Sequence, residues 1–221
     1  MDHSLLTALN VAEKLSRKTQ TSELKLRVME VALRHFSELG IERTSVDKIL
    51  KGAGCSVGSF YHHFGNKEGI AEALFVAGVE EFNRMVLEAI LPHDQAEAGI
   101  KSTVSACCRW VTEKSQLAAF LLSREIKLSE STKEEVRELD RAAGKQLYDW
   151  FVPHVMSGAL LKLPTGMYMT LIAGSTLEHS RLWLSGRTQR SPGDVADILS
   201  QAAWQSVRGD AQTQVVQSAA S

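Results

Sequence analysis

The sequence predicts an all-α protein of about nine helices, in which a small N-terminal helix-turn-helix domain precedes a larger helical domain. Apolar residues recur at three- and four-residue spacing along nearly the whole chain, and alternating β-branched runs are missing. The 221 residues are 44% hydrophobic and 23% charged, which is typical of a globular protein and excludes wholesale disorder. With 3 Cys and no Cys-x-x-Cys pair, the chain has neither a disulfide framework nor a zinc ribbon.

The first two helices are predicted from an apolar stripe and its end signals. The stripe runs from Val28 to Phe36 and ends at Gly40, since glycine just past the last periodic residue ends a helix. The second helix is predicted to begin at Thr44 as its N-cap. Asp47, three residues on, completes a pair similar to a capping box.

The remaining helices are predicted from caps and from proline breaks. Ser56 is expected to cap the third helix, and Asn66 a longer one that runs roughly to Leu91 and ends at Pro92. Five more helices are predicted at about 95–115, 116–128, 131–157, 165–185 and 193–208. Pro153 is expected to kink its helix or to lie in the last turn.

The predicted domains are an N-terminal arm (1–21), a helix-turn-helix domain (22–67), a larger domain (68–208) and a fraying tail (209–221). Within the arm, a polar linker is expected over residues 17–22. Residues 1–67 carry 10 Lys and Arg against 7 Asp and Glu, whereas residues 68–221 carry 15 against 19. This asymmetry weakly indicates that the first third of the chain contacts a polyanion.

Membrane and export segments are not expected. The N-terminal region reaches charged residues without a long apolar core, and the longest uncharged stretch, 163–177, is too short and too polar to cross a bilayer. We therefore expect a cytoplasmic protein.

Residues 24–75 contain three short helices in quick succession, which is the helix-turn-helix arrangement. The tight turn needs a residue that can adopt positive φ, and Gly54 supplies it. Ile49 and Phe60 are expected to pack inward, against Val31 and Phe36.

The third helix contains no acidic residue and presents small, aromatic and hydrogen-bonding side chains, as a helix in a DNA major groove would. Gly58 permits close approach to base edges, and Tyr61 can hydrogen-bond a phosphate. The N-terminus of the second helix can bind phosphate through free N–H groups. The residues predicted to contact DNA are Thr44, Ser45, Ser56, Val57, Gly58, Ser59, Tyr61, His62, His63 and Lys67.

The run from Ala53 to Glu68, AGCSVGSFYHHFGNKE, resembles the DNA-binding signature of TetR-family transcriptional regulators. Phe36, Gly40, Thr44 and Ser45 fill the family's preceding positions. The resemblance covers about residues 24–75, and beyond them it rests only on length and helix content. Val57 departs from the family, which often has Lys or Arg there, so a phosphate or guanine contact is replaced by a side chain that can touch a thymine methyl.

The resemblance implies a homodimer that binds double-stranded DNA and a small-molecule effector. By resemblance, the last two predicted helices pair with their copies in a four-helix interface. A stripe of small and apolar residues fits this expectation, and its members are Leu171, Gly174, Ser175, Glu178, Leu182, Ile198 and Ala202. The alternative is that this stripe packs inside one subunit.

The expected function is that of a repressor released from a palindromic operator when a small, mostly apolar effector binds the C-terminal domain. The larger side chains of that domain are candidates to line the pocket: Trp110, Phe120, Trp150, Met156, Met167, Tyr168, His179 and Trp183. The alternative for each is ordinary core packing.

Two further alternatives stay open. Cys107 and Cys108 form a thiol pair that could sense oxidants if Arg109 lowers a thiol pKa, whereas buried packing would make them inert. The second alternative is a binding protein that has kept the fold and lost operator recognition. An enzyme is not expected, since the serine elbow, phosphate-binding loop and His-Glu-x-x-His motifs are missing, and neither a metal nor a cofactor is expected.

Overall fold

A computed structural model of the chain describes residues 19–123, 126–164 and 166–209. In this part of the chain the all-α prediction is confirmed: an isolated antiparallel bridge between Leu160 and Arg208 is the only β structure. The described residues contain nine α-helices, which are α1 (Thr19–Leu39), α2 (Val46–Ala53), α3 (Val57–Phe64), α4 (Lys67–Ile90), α5 (Ala96–Glu113), α6 (Ser115–Leu122), α7 (Glu130–Met156), α8 (Met167–Leu184) and α9 (Ala196–Val207), with a 3-10 turn at Gly193–Val195.

The N-terminal boundary differs from the prediction. The polar segment 17–22 is expected to be a linker, but its backbone is already helical from Thr19, where α1 begins. Thr, Gln and Ser are disfavoured in a helix by only a few tenths of a kcal/mol each, roughly, so the long apolar stripe that follows can extend the helix back through them. The rest of the predicted arm, and the tail beyond 209, lie outside the described residues.

The second helix begins one residue later than predicted because its cap is Ser45 rather than Thr44. The backbone of Ser45 is extended, and its Oγ accepts a hydrogen bond from the Lys48 N–H at 3.4 Å. The Thr44 side chain is buried and donates to the Gly40 carbonyl at 2.8 Å, so it is unavailable as a cap.

The other predicted end signals are confirmed locally. Gly40 adopts φ +80° after the end of α1, and the Asn66 Oδ1 accepts the Gly69 N–H at 2.7 Å at the start of α4. Pro153 lies in the last turn of α7, one of its two predicted placements, and the helix ends three residues after the hydrogen bond that the proline removes. The sixth helix ends at Leu122, six residues before the predicted end, because Ser123 is extended.

Contacts divide the chain into two compact units. One lies within Met1–Phe82 and Glu113–Leu139, and the other within Asn83–Thr112 and Asp140–Ser221. The core of the first unit is built from fully buried apolar side chains, among them Val28, Leu33, Ile49, Phe60, Ile70, Leu74 and Leu117. The core of the second contains Ile90, Ile100, Val104, Cys107, Val111, Ile172 and Val207.

A helix that crosses a bilayer must be long and apolar over its whole length. Across the described ranges, no helix combines enough length with enough apolar character to span a membrane.

Candidate nucleic-acid interface

The helix α3 is fixed at both ends by its own sequence. Ser56 caps it, with Oγ accepting the Ser59 N–H at 3.2 Å. The turn before it is made by Gly54, whose φ of 60° and ψ of 36° place it in the left-handed region, as predicted. At the other end Gly65 adopts φ +71°, and its N–H donates to the Tyr61 carbonyl.

One face of α3 is anchored and the other is open. Phe60 is fully buried and contacts Tyr61 edge-to-face at 5.3 Å and Phe64 at 6.0 Å between ring centroids. On the outer face Val57 is 59% exposed and Tyr61 53%. A Cβ added to Gly58 would meet no atom within 4 Å. At Val57, Gly58 and Tyr61 the outer face therefore carries no charged side chain, while Phe60 anchors the opposite face.

The expected inward packing is also present in the burial pattern. Ile49 is fully buried, and Val31 and Phe36 are nearly so. A Cβ on Gly52 would lie 2.7 Å from Val31 Cγ1, so α1 and α2 approach closely beside the turn. Phe36 stacks on Phe120 at 6.1 Å.

The two adjacent histidines lie near a residue that the sequence analysis missed. Their ring centroids are 5.0 Å apart, with His62 exposed and His63 half-buried. Burial, the Lys25 ammonium and His62 together lower the pKa of His63. Lys25 therefore adds positive charge near α3. It lies on α1, more than thirty residues away in sequence, and no local pattern indicates this proximity.

At the predicted phosphate site, the residues that begin α2 are exposed, but the Thr44 side chain is not. Ser45, Asp47 and Lys48 are exposed at the start of the helix, whereas Thr44 is 2% exposed. The Thr44 hydroxyl lies 2.8 Å from the Gly40 carbonyl and 3.2 Å from that of His35. Its side chain is thus committed to the protein, and a phosphate at this position would meet the free N–H groups of α2.

Lys67 differs most from its predicted placement. It was expected to reach the phosphate backbone, but its Nζ donates to the carbonyls of Ile41 at 2.9 Å and Glu42 at 2.8 Å. A third carbonyl, that of Thr44, lies at 3.5 Å. All three N–H bonds of the ammonium therefore have acceptors within the chain.

The eight candidate effector residues are divided between the two units and differ in exposure. Trp110, Trp150 and Tyr168 are buried in the second unit, whereas Phe120 belongs to the first. His179 and Trp183 are half-buried, and Met156 and Met167 are 81% and 40% exposed. Effector contact by any of them stays a prediction.

Two of these residues use their polar atoms within the protein. The Trp150 indole N–H donates to the His93 carbonyl at 2.8 Å. The Tyr168 hydroxyl donates to the Leu161 carbonyl at 2.7 Å and accepts the Leu163 N–H at 3.2 Å. Both side chains therefore organise the second unit, whatever else they contact.

Thr176 in α8 is a candidate that the sequence analysis missed. The residue is fully buried, yet its Oγ1 has no hydrogen-bond partner among the described residues. Such a group costs about 1–3 kcal/mol unless a partner is supplied. Only the three-dimensional structure distinguishes it from the other threonines.

The residues predicted to form the dimer interface share one property, which is access to solvent in the single chain. Ile198 is 67% exposed, Ser175, Glu178 and Ala202 are exposed, and Leu171, Gly174 and Leu182 are half-buried. A Cβ on Gly174 would contact nothing within 4 Å. The stripe is therefore free to meet another surface, and its pairing stays a prediction.

The cysteine pair lies in an environment opposite to that of a reactive thiol. Burial raises the pKa of Cys107 to about 12, with a further contribution from the neighbouring Cys108, whose own pKa burial raises to about 11. The expectation that Arg109 lowers a thiol pKa is therefore wrong. Both thiols stay protonated near neutral pH, which disfavours thiol-based sensing.

Metal binding has no support in the same part of the chain. Within 19–123, 126–164 and 166–209, no group of three or more His, Cys, Asp or Glu side chains is arranged to hold an ion.

The comparison with protein families matches the three-helix segment. Residues 28–74 match the pattern described as "Bacterial regulatory proteins, tetR family". The transcriptional regulator AcrR of Shigella flexneri is 32% identical over 76 residues, 34% of this chain and 35% of AcrR. AcuR of Cereibacter sphaeroides is 39% identical over 64 residues, 29% of each chain. The chain thus spans about a third of the length of these relatives.

Solved structures extend the likeness to most of the chain. FadR of Bacillus subtilis in complex with stearoyl-CoA superposes with a TM-score of 0.68 at 19% identity, covering 80% of this chain and 96% of FadR. AibR in complex with isovaleryl coenzyme A and operator DNA gives 0.65 at 18%, with the same coverage. At this identity the likeness shows the fold alone. Residues 28–74 thus match the tetR family pattern, and over most of the remaining chain the likeness to solved structures is one of fold.

Proposed function

We propose that the protein is a ligand-responsive transcriptional regulator that binds double-stranded DNA as a homodimer, with α3 in the major groove. One observation carries this proposal: α3 is held by Phe60, Ser56 and Gly54 while Val57, Gly58 and Tyr61 face solvent. A rigid helix without acidic groups and with a bare glycine can approach base edges closely.

The homodimer sets the geometry of the DNA site. Two copies of α3 related by a two-fold axis would read half-sites one helical turn apart, about 34–36 Å or a multiple, so the operator should be palindromic. The exposed stripe on α8 and α9, which includes Ile198 and Ala202, supplies the surface for the second copy.

The regulatory part of the proposal is release of a repressor by a small, mostly apolar effector. A ligand that binds better to a dimer with the wrong α3 spacing would weaken operator binding about 5–150-fold, the usual range of coupling. FadR and AibR were solved with stearoyl-CoA and isovaleryl-CoA, so these are the first probes to test. Their acyl chains are apolar but their CoA groups are large and anionic, so the free fatty acids are tested beside them. In this chain the Thr176 hydroxyl, buried and without a partner among the described residues, offers a polar contact inside the second unit.

Selection of bound duplexes from random DNA by the purified protein tests the proposal. A palindromic motif should be enriched, its affinity should fall steeply with salt, and Tyr61→Ala should weaken binding to all selected sequences by about 1 kcal/mol or more. Failure to enrich any sequence would favour a binding protein that kept the fold without operator recognition.

A further inference from the structure

We propose that Lys67 is a positioning residue, which clamps the segment between α1 and α2 so that the N-terminus of α2 is correctly placed for DNA, and that it is not a phosphate contact. This inference rests on the proposed DNA binding. From the sequence alone, the Lys67 side chain is predicted to contact a DNA phosphate.

The ammonium group of Lys67 is surrounded by backbone carbonyls of its own chain. Lys67 is the first residue of α4, and its Nζ meets the carbonyls of Ile41 and Glu42 at 2.9 and 2.8 Å, with that of Thr44 at 3.5 Å. An ammonium has three donors and no acceptor, so these three carbonyls occupy its full hydrogen-bonding capacity. A phosphate could be reached only by giving up bonds that span 25 and 26 residues of sequence.

Without Lys67, no cation among the described contacts would lie at the point where these carbonyls converge. Oxygen atoms that converge on one point repel one another, and a cation at that point removes the repulsion. The other hydrogen bonds of the segment lead back to α1 or stay within the turn: Arg43 Nε donates to the Leu39 carbonyl at 2.8 Å, the Thr44 hydroxyl to Gly40, and the Thr44 N–H to the Ile41 carbonyl at 3.3 Å. None of them reaches α4. Among these described contacts, Lys67 is the cation that ties residues 41–44 to α4.

The clamped segment leads directly into the proposed DNA-binding surface. The clamped segment ends at Thr44, and the next residue is Ser45, the cap of α2. The free N–H groups at this end of α2 are the ones proposed to bind phosphate, and their direction follows from the position of Ser45. Losing the clamp would misplace these donors without removing any atom that touches DNA.

The chemistry of lysine fits this role better than that of arginine. Three carbonyls around one point suit a compact ammonium, whereas a planar guanidinium spreads its donors in a fork. Arginine is nonetheless an excellent phosphate ligand. The substitution Lys67→Arg therefore separates the two roles, because it retains the charge and disturbs the clamp.

The experiment compares the full-length wild type with Lys67→Arg, Lys67→Met and the control Lys51→Met. Lys51 is exposed on α2 and makes no contact with the 41–44 carbonyls among the described residues, so its substitution measures loss of one nearby charge. Hydrogen exchange of residues 41–48 is measured without DNA. Affinity for the selected duplex is then measured by fluorescence anisotropy over a range of salt concentrations.

Clamping predicts faster exchange over 41–48 in both Lys67 variants and unchanged exchange in Lys51→Met. Both Lys67 variants should also lose about tenfold or more in affinity for DNA. Their slope of log affinity against log salt concentration should be no shallower than that of Lys51→Met. Loss of a phosphate contact would give a different result: Lys67→Arg would bind DNA like the wild type, and the salt slope of Lys67→Met would be shallower by about one unit per subunit. That result would overturn the inference. If the wild type binds no duplex, the proposed function fails. The exchange result then still decides whether the clamp exists.

Discussion

The carboxylate of Glu72, in α4, accepts hydrogen bonds from the Ser129 backbone N–H and from the Thr132 hydroxyl, the latter at 3.0 Å. Ser129 immediately precedes α7, so a side chain from one helix satisfies an N–H group at the start of another. Burial raises the pKa of Glu72, but the hydrogen bonds from Ser129 and Thr132 more than offset this, and the net shift of the pKa is downward.

Glu72→Gln should therefore destabilise the protein at neutral pH by about 1–3 kcal/mol, because a charged acceptor is replaced by a neutral one. A lowered pKa in the folded state stabilises the protein above the ordinary value of 4.5, and this stabilisation is lost as the pH falls through the folded-state pKa. Urea unfolding of the wild type and Glu72→Gln, measured from pH 7 down to acidic pH, should show that the difference between their free energies of unfolding decreases as the pH falls.

Glu88→Gln is the matched control on the same helix. Glu88 forms an exposed ion pair with Arg84, so its loss should cost less than about 1 kcal/mol. Equal losses in the two variants would show that Glu72 contributes no more than a surface charge.

Gly58→Ala should separate stability from DNA binding. A Cβ at Gly58 meets no neighbour and alanine favours a helix, so the free energy of unfolding should rise by up to about 1 kcal/mol. Affinity for DNA should nevertheless fall, since the added methyl group lies on the face proposed to meet base edges. Gly144→Ala in α7, where a Cβ is equally free, should stabilise the protein and leave DNA affinity unchanged. If Gly58→Ala binds DNA as well as Gly144→Ala does, Gly58 does not face the groove.

Thr176→Val should leave the melting temperature unchanged or higher, because it removes a buried hydroxyl that has no partner among the described residues. The stabilisation by stearoyl-CoA or isovaleryl-CoA, whichever raises the melting temperature of the wild type, should decrease. Thr103→Val is the comparison, since Thr103 is equally buried but donates to the Gly99 carbonyl at 2.9 Å and should lose about 1 kcal/mol. A loss of that size at Thr176 as well would mean that its hydroxyl supports the fold rather than a ligand.

The cysteines provide a test of the thiol-sensing alternative. In the folded protein, Ellman's reagent should react with Cys55, which is half-buried, and leave Cys107 and Cys108 intact until the chain is unfolded. Rapid loss of all three thiols in the native protein would return oxidant sensing to consideration.

The sequence predicts the features of the fold that depend on neighbouring residues. The Ser56 cap, the left-handed Gly54 and the break at Gly40 depend on residues within a few positions, and all three are confirmed. The cap of α2 was misassigned between two neighbouring hydroxyl residues because the choice depends on the burial of Thr44, which is a tertiary property.

What the sequence could not predict involves partners that are distant along the chain. Lys67 meets carbonyls 25 and 26 residues away, and Glu72 meets Ser129 across 57 residues. No periodicity or motif indicates which charged side chains of α4 form hydrogen bonds with distant parts of the chain. The same holds for Thr176, since its lack of a partner follows from packing and not from its position in a helix.

Photocrosslinking tests the central proposal, that α3 enters the major groove, most directly. The photoreactive amino acid p-benzoylphenylalanine would replace Val57 in one protein and Tyr148 in another, since the two side chains are similarly exposed, at 59% and 53%. With the selected duplex bound, we expect crosslinks from position 57 to bases within each half-site and none from position 148. Specific DNA binding without any crosslink from position 57, or with crosslinks from position 148 alone, would contradict the account.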